Sequence, residues 1–490
     1  MEKKLIYDIE DRPKFGQMLI FALQQVLAIL AATIAVPTII GLPTQIPAAV
    51  LGAGIGTLVY QVFTKFKSPV FLGSSFAFLS SLGVALAYGY CGIIFGSLIA
   101  ALVYVAIALV IHFVGTAWVD KLMPTVIIGP TVALIGLSLA GSAMGDIVRA
   151  NSSQMYSSYN LVSLLCGLVA FFVIVICATQ KRVRMARLIP FVLGIASGYV
   201  VAAVFTFIGM ATSNDYLMII NFRPLIDNFV AADGSFKGFS AFINYPSFAL
   251  IEAVKELFTG NMSAEILAAN ENAGMINLSG IVEIVIAFLP VAMVVFAEHI
   301  ADHNYLSSVI GRDLIKEPGL SKTLMGDGVG SFAGTVFGIC PNTTYGESVG
   351  CVAITKNASI ATITTAAIMC IGLSFVSPIM ALLQTIPSCV MGGVCLTLYG
   401  FIAVSGLKMF KNVDLENNKN LFVVASILIS GIGGLSIQIP YAIAETGEIT
   451  GVITITSIAT ALIIGIVTNV VLTKIEKSKL GKEKEDKNKK

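Results

Sequence analysis

PNTTYGESVGCVAIT, residues 341–355, sets one carboxylate, Glu347, among glycines and hydroxyl side chains inside otherwise apolar sequence. A charge at the centre of a bilayer costs about 2.5–3.5 kcal/mol on insertion scales, so such a residue ordinarily faces a cavity and marks a substrate or ion path. Glycine and polar backbone at that depth also imply a broken helix, which is tolerated only where it is buried in protein or lines a cavity. The bland alternative is a polar loop dipping between helices.

The surrounding composition places the whole chain in a membrane. Of 490 residues, 56% are hydrophobic and 12% charged, against about 25% charged in soluble domains, and mean hydropathy is +0.89. Fourteen apolar runs read as spans: 17–40, 46–64, 69–90, 91–114, 123–145, 160–180, 188–212, 278–303, 323–340, 342–355, 358–377, 378–405, 420–439 and 449–473. The ninth and tenth are too short for two full crossings, which supports a half-helix there. With the N-terminus in the cytoplasm, inner segments hold 26 of the 30 Lys and Arg, and outer segments hold only Arg149, Arg223, Lys237 and Lys255. That positive-inside bias puts both termini in the cytoplasm of a multi-pass cell-membrane protein. The charged tail 1–16 lacks a small-residue cleavage site, so the first span reads as retained. The basic tail 474–490 reads as a solvated anchor rather than a nucleic-acid arm. The eight cysteines sit in apolar runs without CxxC spacing and read as small buried hydrophobes.

Outward from the opening stretch, the chain repeats itself. LGAGIGT at 51–57 matches MGDGVGS at 325–331, and Ser74-Ser75-Phe76-Ala77-Phe78 matches Thr343-Thr344-Tyr345-Gly346-Glu347. LAATIAV at 30–36 matches FAEHIAD at 296–302, and PTVIIG at 124–129 matches PSCVMG at 387–392. Seven spans per copy is odd, so the second repeat enters the membrane inverted, an architecture of transporters whose site lies near the midplane at broken helices. The expected fold is an all-α polytopic membrane protein of fourteen segments in two inverted seven-span repeats: 17–212 and 277–473, joined by an outer segment 213–276. Within the matches, Ala32 faces Glu298, Val36 faces Asp302, Ala53 faces Asp327 and Phe78 faces Glu347. Four carboxylates were added to one copy only, and the ion chemistry is expected there. Glu298 and Asp302, four apart, share a helix face.

These residues resemble the bacterial uracil permeases of the nucleobase-ascorbate transporter (nucleobase:cation symporter-2) family, nearly end to end. The resemblance is carried by GSSFAF at 73–78, AEHIADH at 297–303, RDLIKEPGL at 312–320, PNTTYGESVG at 341–350 with AITK after it, and IPSCVMGGVCLTLYG at 386–400. It implies a core domain of spans 1–4 and 8–11, a gate domain of spans 5–7 and 12–14, and short extended strands breaking spans 3 and 10. It implies base contacts at Ala32, Phe76, Glu298, Tyr345, Gly346 and Glu347, and a homodimer through the gate domains. Proton coupling or site support falls to Glu298, Asp302, Asp327, Glu347 and Ser348, with the proton as coupling ion and no cofactor. The chemistry suits a flat ring of alternating N–H donors and carbonyl acceptors: carboxylates accept, backbone amides donate and Phe76 offers a stacking face.

The chain departs from the uracil pattern at four places. Asp302 stands where a His is usual, Ser348 where Asn is usual, Gln25 where His is common, and Asp327 where Asn is frequent. Asp302 is closer to xanthine and urate members, whereas those purine members carry Gln rather than Glu at position 347. The implied activity is proton-coupled import of a nucleobase, uracil first, xanthine or another oxopurine second. Segment 213–276 is long for the resemblance and carries an amphipathic stretch at Ser247–Phe258. A reading of another class is a metal-dependent membrane protein using His299 and His303, four apart in HIADH; the HExxH order is missing. No phosphate-cradling loop or Ser/His/Asp set points to an enzyme, and no metal ligand is assigned.

Overall fold

The computed structural model describes residues 5–149, 159–180, 182–183, 186–187, 189–231, 233–409, 413–443 and 449–488. Lys3, Lys4, Lys181, Arg184, Lys411, Lys489 and Lys490, counted above on the inner side, lie outside the described residues.

The first half runs α1 (Phe15–Ile39), α2 (Ile46–Phe63), β1 (Leu72–Ser74), α3 (Leu79–Leu86), α4 (Gly89–Val114), α5 (Ala117–Leu122), α6 (Thr125–Val148), α7 (Leu161–Thr179) and α8 (Pro190–Thr212). A connecting segment holds α9 (Arg223–Phe229), α10 (Ala249–Thr259) and α11 (Ala264–Ala269). The second half runs α12 (Leu278–Ile310), α13 (Leu320–Phe337), β2 (Asn342–Thr344), α14 (Gly346–Thr355), α15 (Ile360–Ser374), α16 (Ser377–Gln384), α17 (Ser388–Lys408) and α18 (Asn418–Ile432). It closes with β3 (Ile437–Ile443), β4 (Ile449–Ile455) and α19 (Ser457–Asn488). Long helix, helix, short strand, short helix, helix recurs in both halves. Among the described residues nine helices are long and apolar enough to cross a membrane, which makes this a multi-pass, essentially all-α membrane protein.

Two expected spans open as the strands that the resemblance implied, and three others are corrected. The runs at 69–90 and 342–355 are not continuous helices: each opens as a three-residue strand, and β1 pairs antiparallel with β2, Gly73 opposite Thr343. The run 378–405 divides into α16 and α17 at Thr385–Pro387, because proline cannot continue a helix through its missing N–H. The runs 420–439 and 449–473 lose their facing ends to a hairpin, β3 against β4, Ile437 opposite Ile455. Gly434, at φ +72, turns the chain out of α18. Beyond it, IQIPYAI and ITGVITI are rich in Ile, Val and Thr, which suit a pleated surface better than a helix. Pro440 falls at an irregularity of the ladder, where its lack of a donor is tolerated. The amphipathic stretch is helical, as α10. Its Glu256 accepts from the amides of Tyr90 (2.9 Å) and Ser263 (3.2 Å), fastening the connecting segment to the start of α4.

The repeated glycine motifs explain how the centre closes. A Cβ at Gly52 of α2 would lie 2.2 Å from the Gly334 carbonyl oxygen of α13, and one at Gly56 2.8 Å from that of Gly330. Two small-xxx-small faces therefore cross backbone to backbone, the close approach that drives packing inside a bilayer. Asn342, at the start of β2, donates its side-chain amide to the Gly52 carbonyl (2.9 Å) and its backbone amide to Ser331 (3.0 Å), locking the strand pair onto this crossing.

Candidate functional site

Paired strands this short expose the beginnings of the helices that follow them. Beyond the ladder, Ser75 N donates to Pro341 O (2.9 Å) and Tyr345 N to Phe71 O (3.2 Å), so the strand pair is held to its last residue. Immediately afterwards the chain turns into α14 at Gly346 and, through a 3-10 turn at Phe76–Phe78, into α3. No side chain caps the first turn of α14, which leaves its amides and the positive end of its dipole for a ligand. The hydroxyl of Ser75 is buried here without a partner, among the described residues.

Against this break lies α12. Asp302 accepts from Thr344 Oγ1 at 2.7 Å, joining the helix to the end of β2. Glu298, one turn earlier on the same face, and Glu347, in the first turn of α14, are both half-buried, while Gly346 between strand and helix is exposed. Glu298 stands close enough to Asp302 and Glu347 for their charges to interact. Neither the Glu298 nor the Glu347 carboxylate is hydrogen-bonded to another side chain among the described residues, whereas Asp302 is committed to Thr344. Two acid groups, neither bonded to another side chain, and a helix start that no N-cap side chain covers thus lie beside one accessible spot.

The other expected residues are walls or supports. Ala32 of α1 is fully buried, and Phe76 (6% exposed) and Tyr345 (4%) nearly so. Phe76 meets the Tyr399 ring of α17 edge-on, with centroids 5.3 Å apart at 87°. Tyr345 packs over Gly73 and donates its hydroxyl to the Ser74 carbonyl at 2.7 Å, so its ring braces the strand pair. Ser348, fully buried, accepts from the side-chain amide of Gln25 on α1. Asp327 lies near enough for its charge to act on Glu298 and Asp302, but it is fully buried on α13 and bonded to His299 Nδ1 at 2.7 Å. Sequence reasoning noted Gln25 only as a departure and missed Thr344 and Tyr399 as contacts. Thr344 could have been found from its repeat match with Ser75; Tyr399 had no local signal.

The metal reading fails on hydrogen-bond accounting. His299 uses its ring nitrogens on Asp327 and on Thr323 Oγ1 (3.0 Å), and His303 on Tyr60 OH (2.8 Å) and the His299 carbonyl (2.8 Å). Among the described residues no three His, Cys, Asp or Glu are placed to hold a metal ion. A separate cavity of about 420 Å³ lies between the connecting segment and α16, lined by Thr44, Arg223, Asp227, Lys237 and Gln384 among others. None of the carboxylates above lines it.

Comparison with known proteins fits this arrangement. Residues 16–439 match the model of the Permease family (Xan_ur_permease). A uracil permease of Bacillus caldolyticus is 34% identical over 475 residues, covering 96% of this chain and 95% of that protein. A uracil permease of Bacillus subtilis (strain 168) is 34% identical over 474 residues, covering 96% of each. The solved overall structure of SLC26A9 aligns with a TM-score of 0.59 at 13% identity, over 95% of this chain and 66% of that one, a likeness of fold alone.

Proposed function

The chain belongs to the Permease family, and we propose that within it the protein is a proton-coupled nucleobase importer, taking uracil first and xanthine or another oxopurine second. The observation that carries this reading is the pair of neighbouring carboxylates, Glu298 and Glu347, neither bonded to another side chain, beside the uncapped start of α14. Such a site can accept ring N–H groups and donate backbone amides to ring carbonyls on one flat solute. The proposed base contacts are Ala32, Phe76, Glu298, Tyr345, Gly346 and Glu347, with Tyr345 contributing through its backbone because its side chain is engaged. Glu298, Asp302 and Glu347 form the proton-exchanging group, and Ser348 supports it through Gln25. Desolvated carboxyls change protonation state as a hydrogen-bonding base arrives and leaves, which links the two movements.

The recurring element order and the antiparallel β1–β2 pair support two inverted repeats of seven spans. In that reading the core domain is α1–α4 with α12–α15, the gate domain is α6–α8 with α16–α19, and both termini are cytoplasmic. Phe76 against Tyr399 then marks the boundary across which the domains move, and the gate faces pair in a homodimer. The test is uptake of labelled uracil by proteoliposomes in competition with a panel of unlabelled bases, with and without a proton gradient. Gradient-dependent uptake displaced best by uracil supports the reading. Uptake indifferent to a collapsed gradient removes the coupling, and displacement by xanthine alone moves the substrate to the oxopurines.

A further inference from the structure

An α-helix turns about 100° per residue, so a face that presents Glu298 and Asp302 puts His299 and His303 on an adjoining one. His299 is fully buried there and engaged at both ring nitrogens, Nδ1 2.7 Å from Asp327 Oδ2 and Nε2 3.0 Å from Thr323 Oγ1. The Thr323 hydroxyl also reaches the Leu320 carbonyl, 3.1 Å away, to which it can donate its one proton. With that proton on Leu320, the Thr323 oxygen accepts from His299 and a proton stands on Nε2. One proton remains for the 2.7 Å line between Nδ1 and Oδ2. Without it two lone pairs would face each other, and with two the hydrogens would collide. Written as imidazolium and carboxylate, or as imidazole and carboxylic acid, the pair is neutral.

The surroundings hold it there. The His303 ring stacks on His299 at 4.0 Å with both nitrogens engaged, and the Tyr104 ring of α4 lies 6.4 Å away. Asp327 Oδ1 is buried without a partner among the described residues. Stripping the shared proton would leave a buried net charge beside Glu298 and Asp302, the costliest state open to the pair. We infer that His299 and Asp327 share one proton as a standing neutral pair that sets the rotation of α12 against α13, making Asp327 a positioning residue for Glu298 and Asp302 rather than a carrier of the transported proton. The inference rests on the coupled transport proposed above. It has a direct consequence: Asn at 327 can donate its amide to Nδ1 while Nε2–H stays on Thr323, so the acid is replaceable by its amide.

The experiment compares full-length wild type with Asp327→Asn, Asp327→Ala, His299→Ala and the double Ala variant. It reads gradient-driven uracil uptake in proteoliposomes and Tm of the base-free purified protein. Asp327→Asn is expected to keep uptake within about twofold of wild type, with unchanged response to the gradient, the margin expected of a change that removes no contact. The two single Ala variants are expected to lose uptake by about tenfold or more, as when a buried network is cut. Their Tm losses should not add in the double variant. Asp327→Asn that binds uracil but whose uptake ignores the gradient would overturn the inference, as would additive Tm losses. Wild-type protein that takes up no uracil fells the transport reading instead, and the Tm cycle alone then decides the pair.

Discussion

Around β1 the chain continues Phe76-Ala77-Phe78 through a 3-10 turn into α3, and none of those three side chains is more than 6% exposed. Around β2 it continues Tyr345-Gly346-Glu347 directly into α14, with Gly346 exposed and Glu347 half-buried. Register and backbone bonds tie the two breaks into one ladder, yet one break presents aromatic carbon and the other presents an acid and an uncapped helix start. A strand pair needs only main-chain groups to form, so duplication could preserve the frame while the side chains beyond it diverged. One half became a wall, and the other a hydrogen-bonding edge.

The strongest way to break that division is on the helix that faces both. Glu298→Gln keeps the shape but replaces an acceptor oxygen with a donor amide. Losing one charge-assisted bond costs about 1.5–3 kcal/mol, or about ten- to more than a hundredfold in affinity. Equilibrium binding of labelled uracil to purified protein reads it. Wild-type affinity in this variant would remove Glu298 from the site and with it the claim that the second half alone carries the chemistry.

The shared frame can be attacked next. A Cβ at Gly73 would sit 2.3 Å from Cε2 of Tyr345. Gly73→Ala must therefore displace that ring and strain its bond to the Ser74 carbonyl. Overpacking of this kind costs about 1–3 kcal/mol. Both Tm and uracil affinity are expected to fall together, since the same strands hold fold and site. A lowered Tm with unchanged affinity would show that the strand pair is scaffold only.

The apolar half is tested by Phe76→Leu, which keeps bulk and removes the ring. An aromatic contact is worth about 0.5–1.5 kcal/mol beyond its buried area, so affinity should fall severalfold to about tenfold. The loss should be similar for every base that binds, because a π-face does not read hydrogen-bond pattern. Selective loss of one base would give Phe76 a role in recognition that the comparison denies it.

How much of this could be read from residues alone depended on whether the signal was local. Glu347, the glycines and the hydroxyls stand out against an apolar run, and the matching motifs pointed to the second break, so both breaks and the carboxylate face of α12 were legible, while only the resemblance implied that the breaks are strands. The β3–β4 hairpin was not. At the level of apolar runs, a short apolar strand pair and the ends of two spans look alike, and only the Ile, Val and Thr content with Gly434 separates them. Contacts set by tertiary packing were equally hidden: Gln25 and Ser348 lie 323 positions apart, and no periodicity predicts that they meet. The repeat position of Asp327 groups it with the acids of the site, and its charge does act on Glu298 and Asp302. The bond that commits it to His299 becomes visible only when α12 and α13 are laid side by side.

The smallest expected effect on affinity, and the most informative about division of labour within the polar half, belongs to Glu347. It occupies the first turn of α14, where uncapped backbone amides stand beside its carboxylate and can share the ligand contacts. Removing its charge therefore withdraws one acceptor while leaving the amides in place. Glu347→Gln is expected to retain uracil binding within about tenfold, less than one full charge-assisted bond in the worst case. The amide also adds a donor where the carboxylate had none, which should move preference toward oxopurines, whose extra ring nitrogen can accept it. If Glu347 belongs to the proton-exchanging group, uptake by this variant should respond less to external pH than wild type, because one of three titrating acids is gone and Gln cannot replace it. Competition by xanthine and a pH series of initial uptake rates measure the two effects separately. A variant with wild-type pH response but altered base preference would make Glu347 a recognition residue only and leave coupling to Glu298 and Asp302. One with unaltered preference and a flattened pH response would assign it to coupling alone, and the edge of the base would then be read by the α14 amides.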